Sequence, residues 1–174
     1  MAAEYFPLEE KRRLTYKLTS SDFEGTAVVH IDILKTECQE NKTVAKATMT
    51  FSLKDTHTAD FEIINDGKWV YSTNGIVTGG RKEFPVPPAE GSKWIEAPDS
   101  CRIQTLGDVK ETAAGKFENC MKVVTLIADG DGGAAMRWYA PGIGLIYEDY
   151  HAEDKQCELE LIECVPLETT EEKK

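Results

Sequence analysis

Apolar and polar residues alternate along much of the chain with a period of two. In "TAVVHIDILK", Ala27, Val29, Ile31 and Ile33 share one face, while His30 and Asp32 point the other way. In "TVAKATMTFSL", Ala45, Ala47, Met49, Phe51 and Leu53 alternate with Lys46, Thr48, Thr50 and Ser52. In "CELELIEC", Leu159 and Leu161 alternate with Glu158 and Glu160. A strand with one buried and one wet face gives this pattern, and a series of them implies an antiparallel sheet. "KFENCMKVVTLIA" differs, being apolar on both parities at Val123, Val124, Leu126 and Ile127, and it is expected to be a strand covered on both sides.

The punctuation agrees. Asp66-Gly67 stands between the strand-like runs 61–64 and 69–71, and Gly tolerates the positive φ that tight hairpin turns need. Asn74-Gly75 repeats the device, and "ADGDGGA" at 128–134 is a further turn. The expected fold is all-β: a curved antiparallel sheet or half-open barrel of roughly 9–11 strands. Helices are expected to be short at most, with residues 7–13 and 110–114 as candidates. The segment "TGGRKEFPVPPAEGSKW" at 78–94 is rich in proline and glycine, and proline cannot donate to a sheet ladder, so strands are expected to break there. The chain reads as one domain over 1–174. A weak echo of "FPLEE" in "FPVPP" admits a repeat of two halves, 5–80 and 84–165, and the charged tail 167–174 is expected to fray.

Composition narrows the function classes. With 174 residues, 41% of them hydrophobic and 29% charged, the chain is long and apolar enough to bury a core. A net charge of −11, from 31 acidic and 20 basic residues, argues against nucleic acid as a partner; Lys11, Arg12 and Arg13 form the only basic cluster, with Glu9 and Glu10 beside it. No apolar run has the length of a membrane-spanning helix. The first residues lack the apolar stretch of a signal peptide. That fits a cytoplasmic chain starting at Met1, or a mature exported chain whose signal has been removed. Cys38, Cys101, Cys120, Cys157 and Cys164 contain no Cys-x-x-Cys and read as small core residues, with one or two disulfides as the alternative.

The clearest motif is Pro141-Gly142-Ile143-Gly144. A dinucleotide fingerprint needs a third glycine and a following helix, but Tyr147 holds the glycine position and "LIYEDYH" is strand-like. The motif is read as an architectural turn. "GIVTGGRK" at 75–82 lacks the Lys and Ser/Thr of a phosphate loop, and "DGDGG" at 129–133 lacks the closing acid of a calcium loop. His30, His57 and His151 have no metal-ligand spacing, so neither a metal nor a cofactor is expected. Glu148, Asp149, Glu153 and Asp154 read as a solvated face, and no nucleophile–base pair or catalytic residue can be assigned. Trp69, Tyr71, Trp94, Trp138 and Tyr139 are the candidate ligand-binding residues, as aromatics able to line a concavity.

Three ordered patterns carry a resemblance: "YFPLEEKRRLTY" at 5–16, "TAAGKFENCMKV" at 112–123 with "GSKW" at 91–94 before it, and "YAPGIGLIYE" at 139–148. Together they resemble a bacterial family of uncharacterised β-rich proteins, often exported or lipid-anchored. More loosely, that family's fold is similar to the curved sheet of lipoprotein carriers. The resemblance marks Gly115, Phe117, Pro141, Gly142 and Gly144 as structural turn residues and implies no catalytic residue. Lys11 and Leu14 stand where the family has Gly and Trp, which bears on how the first segment docks. The resemblance implies export.

The expected function is a non-enzymatic binding module holding a lipid or other apolar small molecule on an aromatic-lined concave face. The alternative is a structural or protein-interaction component of the bacterial cell envelope.

Overall fold

The computed structural model describes residues 4–7, 9–128 and 132–167. Leu8 of the first motif, the centre of the turn at 128–134 with most of "DGDGG", and the tail beyond Leu167 lie outside the described residues. The described residues form twelve strands and no helix. In chain order they are β1 (Arg12–Ser20), β2 (Ala27–Gln39), β3 (Lys42–Ser52), β4 (Thr56–Asn65), β5 (Trp69–Ser72), β6 (Arg81–Pro85), β7 (Lys93–Glu96), β8 (Asp99–Thr112), β9 (Gly115–Ile127), β10 (Gly133–Ala140), β11 (Gly144–Ala152) and β12 (Gln156–Pro166). Among the described residues no helix is long and apolar enough to cross a membrane.

Hydrogen-bonded neighbours run β6-β5-β4-β3-β2-β1-β12-β11-β10-β9-β8-β7 in one antiparallel sheet. Each strand pairs with its successor in sequence, except that β6 does not pair with β7. First and last strands close on each other instead, from Arg12↔Pro166 to Ser20↔Cys157. The result is a nearly closed up-and-down barrel with one unladdered seam, whose edges β6 and β7 are joined through residues 86–92.

Alternation becomes burial as elementary sheet geometry requires. Ala27, Val29, Ile31 and Ile33 are buried on β2, and Leu159 and Leu161 on β12. Phe51 and Met49 are half-buried near the end of β3, and Leu53 lies just past it, exposed. The Asp66-Gly67 turn is built as expected: Gly67 has φ +84°, and Asp66 Oδ1 accepts from the amides of Lys68 at 2.8 Å and Trp69 at 2.7 Å. Those amides hold the Asp66 carboxyl below its ordinary range.

Three expectations are corrected. β9 is not covered on both sides, because Leu126, on the face opposite Val123 and Ile127, is 61% exposed. Residues 110–112 continue β8, and Arg12 and Arg13 begin β1, so neither helix candidate forms. The proline-rich segment does not stop strands throughout, since β6 falls inside 78–94 and β7 begins there at Lys93. Proline is tolerated there because both are edge strands. These short strands also bring the number above the expected range.

Candidate functional site

Among the described residues, a layer of buried charge lies between two cavities. β6 supplies two of its members. Val70 pairs with Phe84 and Tyr71 with Lys82, so Glu83 is the extra residue of a β-bulge. That bulge lets Arg81, Glu83 and Phe84 all contribute to the interior. Across the barrel, the β10–β11 hairpin places Arg137 opposite Glu148. Arg81 grips Glu148 with two hydrogen bonds, Nη1 to Oε1 at 2.7 Å and Nη2 to Oε2 at 3.3 Å. Its Nε reaches Glu83 Oε1 at 3.1 Å, where Ser72 Oγ also donates at 2.8 Å. Glu83 Oε2 accepts from Arg137 Nη1 at 3.4 Å and, in a short bond, from the Tyr139 hydroxyl.

Glu148 was expected on a solvated face, but its side chain is only 1% exposed. It shares the inward parity of Ile146 on β11, and Arg81 satisfies both of its oxygens. Taken out of water, such charges persist only when paired and hydrogen-bonded. Burial alone would push the Glu83 carboxyl up. Arg81 and Arg137, with hydrogen bonds from Tyr139 and Ser72, outweigh it and hold the group at about 2. Burial works against the charge on Arg81 as well, yet the two carboxylates keep it well above the ordinary value, and burial leads in raising Tyr139.

On one side of this layer lies a cavity of about 80 Å³ with an apolar wall that includes Tyr16, Ile31, Phe61, Val70 and Phe84. Loop 73–80 borders it through Asn74, Gly75 and Ile76. A side chain at Gly75 would strike the carbonyl of Thr78, so the loop can fold this tightly only with glycine there. Lys155 Nζ, donating to the carbonyl of Val77 at 3.0 Å, ties the loop to the far side of the barrel. On the other side, between β6 and β7, lies a polar cavity of about 160 Å³.

The five candidate aromatics do not form one site. Tyr139 lines the smaller cavity and packs edge-on against Phe84. Trp69 and Trp94 meet edge-to-face across the seam, ring centroids 6.0 Å apart, with Lys82 Nζ 4.7 Å from the Trp69 ring. Tyr71 is half-buried on β5 and lines neither cavity. Trp138 lies elsewhere, donating to Asp108 Oδ2 at 2.8 Å and packing on Tyr147, with Lys110 Nζ 4.3 Å from one ring and 3.8 Å from the other. Tyr5, Tyr16, Phe61, Phe84, Arg81 and Glu83 also border the smaller cavity and were not singled out by the sequence reading. Their one signal was parity: Tyr16 shares the inward face of Leu14 and Leu18.

The turn residues meet the first segment. Gly142 has φ +74° and Gly144 φ +98°, conformations that favour glycine. Pro141 starts this turn. The Gly142 amide donates to the carbonyl of Glu4 at 2.7 Å, and a side chain at Gly144 would face Pro7. Segment 4–7 is therefore docked, with Tyr5 and Phe6 buried. The Tyr5 hydroxyl donates to the carbonyl of Asn119 at 3.1 Å, within the second motif, and its ring packs on Phe84. Gly115 opens β9 with φ +142°, and Phe117 packs against the core. Lys11, where the resembled family has glycine, itself takes φ +57°, and Leu14 borders the smaller cavity. All five cysteines are free thiols.

No family model and no curated protein matches the chain. The fold is similar to two solved structures. One is described as a "putative exported protein with YmcC-like fold" from Bacteroides fragilis, with TM-score 0.64 and 14% identity, covering 93% of this chain and 99% of that one. Another is a "putative lipoprotein" from Parabacteroides distasonis, with TM-score 0.63 and 14% identity, covering 94% of this chain and 99% of that one. At such identity the likeness is one of fold. It is a likeness to a fold that the first of these descriptions calls YmcC-like.

Proposed function

We propose that this barrel is a non-enzymatic binding module that holds the apolar end of a small molecule in its interior. The observation that carries this reading is the apolar-walled cavity of about 80 Å³ between loop 73–80 and segment 4–7. A dry cavity of about 150 Å³ takes a benzene ring. The smaller volume here suits a short alkyl terminus of a larger, lipid-like ligand. The charged layer at the cavity wall supports a binding role over a catalytic one. Its carboxylates are saturated by arginine, and a group held at about 2 is a poor proton shuttle near neutrality. The fold likeness to exported and lipoprotein-like proteins supports placement in the cell envelope.

Native mass spectrometry of the freshly purified chain, repeated after denaturation, tests this. A reproducible extra mass lost on denaturation, together with its reduction in Ile31→Phe, which fills the cavity, is the expected outcome. A bare mass and no saturable binding of a medium-chain fatty acid would overturn it. The second reading, an envelope interaction component, would then stand on a different observation. Ile95 on the edge strand β7 and Leu126 on β9 are 63% and 61% exposed, flanking Ser100 of β8, with which both pair.

A further inference from the structure

Two segments border the apolar cavity, and they are held in different ways. Segment 4–7 is pinned through the backbone, with the Gly142 amide donating to the Glu4 carbonyl at 2.7 Å and the Tyr5 hydroxyl donating to the Asn119 carbonyl at 3.1 Å. Loop 73–80 has no such anchor along its span. Among the described residues, no amide or carbonyl of 74–80 bonds to another backbone group. Two side chains hold it instead: Lys155 Nζ donates to the Val77 carbonyl at 3.0 Å, and Arg81 Nη1 donates to Thr78 Oγ1 at 2.9 Å. Arg81 opens the strand that the loop leads into, so of the two only Lys155 reaches it from elsewhere in the barrel. The underside of the loop is apolar. Ile76 borders the cavity and packs against the core, and Val77 is buried. A segment with so few bonds opens more readily than laddered strands do.

The glycines show that the closed position is the demanding one. A Cβ at Gly75 would strike the Thr78 carbonyl, and one at Gly80 would lie 2.7 Å from the Ser72 carbonyl oxygen. Neither glycine takes a positive φ. Alanine is therefore opposed at both places by the closed packing of the loop and not by its own backbone. We infer that loop 73–80 is a lid over the apolar cavity, latched by Lys155, and that an alkyl chain enters when the latch releases and Ile76 lifts away. This rests on the binding reading above. Lys155 is placed to act as a latch: it stands in the turn between β11 and β12, nearly opposite β5 and β6 in the strand order. Its side chain is 32% exposed, and Asp22 Oδ2, in the turn between β1 and β2, lies 3.8 Å from the same Nζ. Water competes for an ammonium this exposed, so the latch is one that can break. A lid over a ready cavity makes apparent affinity depend on the fraction of molecules that are open. Weakening the latch therefore tightens binding, whereas losing an ordinary wall contact weakens it.

The test compares the full wild-type chain with Lys155→Met and Gly75→Ala. Lys155→Met keeps the aliphatic stem of a partly exposed residue and removes only its charged end, so it carries the test even if Gly75→Ala does not fold. Hydrogen exchange over 74–80 should quicken by at least about fivefold in each variant and stay unchanged along β1 and β12. The ligand probe is 1-octanol, whose uncharged head makes the lost charge at Lys155 irrelevant to its binding. It is titrated against the methyl resonances of Ile31 and Val70, both in the cavity wall. Lys155→Met should bind it at least about threefold more tightly than the wild type. Saturable binding by the wild type without tightening in Lys155→Met would overturn the lid and leave the cavity reading standing. Exchange over 74–80 that does not respond to loss of the latch would do the same. No saturable methyl shift in any of the three proteins would overturn both.

Discussion

The barrel closes in two places by different physics. Between β1 and β12 closure is by a backbone ladder running from Arg12↔Pro166 to Ser20↔Cys157, interrupted by one bulge near Thr15. Between β6 and β7 no ladder forms, and side chains hold the edges together. Trp69 meets Trp94, the Lys82 amide donates to Glu96 Oε2 at 3.2 Å, and Glu83 anchors Arg137 and Tyr139. Tyr5 clasps Phe84 on one side of the seam and Asn119 on the other. A ladder spreads its cohesion over many equivalent bonds that no single substitution removes. The seam concentrates it in a few groups, so it should be fragile to point changes and sensitive to pH.

The largest expected effect comes from Arg81→Ala. It strands Glu148 and weakens the hold on Glu83, and breaking a buried pair from one side costs about 3–5 kcal/mol. Urea unfolding at pH 7 reads this directly. Arg81→Met combined with Glu148→Leu should recover much of the loss, because no uncompensated charge then remains. Full stability in Arg81→Ala would mean that the ion layer does not hold the seam.

Acid comes next. The Glu83 carboxyl is depressed from an ordinary value of 4.5 to about 2 in the folded protein. Its contribution is therefore complete above the ordinary value and is lost as pH falls through the folded one. The wild-type chain should lose about 3 kcal/mol between neutrality and pH 2 from this group. Glu83→Gln should lack that part of the acid dependence, which urea midpoints at pH 7 and pH 3 would show.

A smaller effect is expected from Gly142→Val. A β-branched residue at φ +74° costs about 1–3 kcal/mol, and the strain falls where the turn holds Glu4 and hence the Tyr5 clasp. Thermal melting measures it. Trp69→Leu should be the mildest, removing an edge-to-face pair worth about 0.5–1.5 kcal/mol beyond its buried area. Its signature is local: hydrogen exchange should quicken at the β6 and β7 amides and stay unchanged along β1 and β12. Equal changes at both closures would erase the distinction between them.

The ladder side of this comparison could be read from the sequence, and the seam side could not. Strict alternation in β2 and β12 names the inward residues directly, because one face is apolar and the other charged. At the seam that rule fails for specific reasons. β6 and β7 are short and bracketed by proline, so they carry too few positions to show a period. The bulge at Glu83 then shifts which residues face inward. Glu148 illustrates a subtler loss. Four acids between 148 and 154 look like a wet surface, yet one of them has the parity of Ile146. The usable signal was pairwise: Arg137 and Glu148 stand opposite each other across the Pro-Gly-Ile-Gly hairpin, both at inward positions. Aromatic content was a poorer guide, since bulk alone does not say which face a ring takes. Trp138 and Tyr139 are neighbours in sequence and serve different parts of the molecule.

The closeness of Lys11 and Leu167 follows from the same asymmetry. The Leu167 amide donates to the Lys11 carbonyl at 2.8 Å, so the beginning of β1 and the end of β12 lie side by side. Only residues 86–92 run across the seam along the backbone. Joining the ends and cutting there would give a circularly permuted chain in which every successive pair of strands is a hydrogen-bonded neighbour. In that chain no covalent link would tether the two free edges. Whether its barrel stays shut would then depend on side-chain contacts such as those of Glu83, Arg137, Tyr139, Glu96, Tyr5 and the two tryptophans.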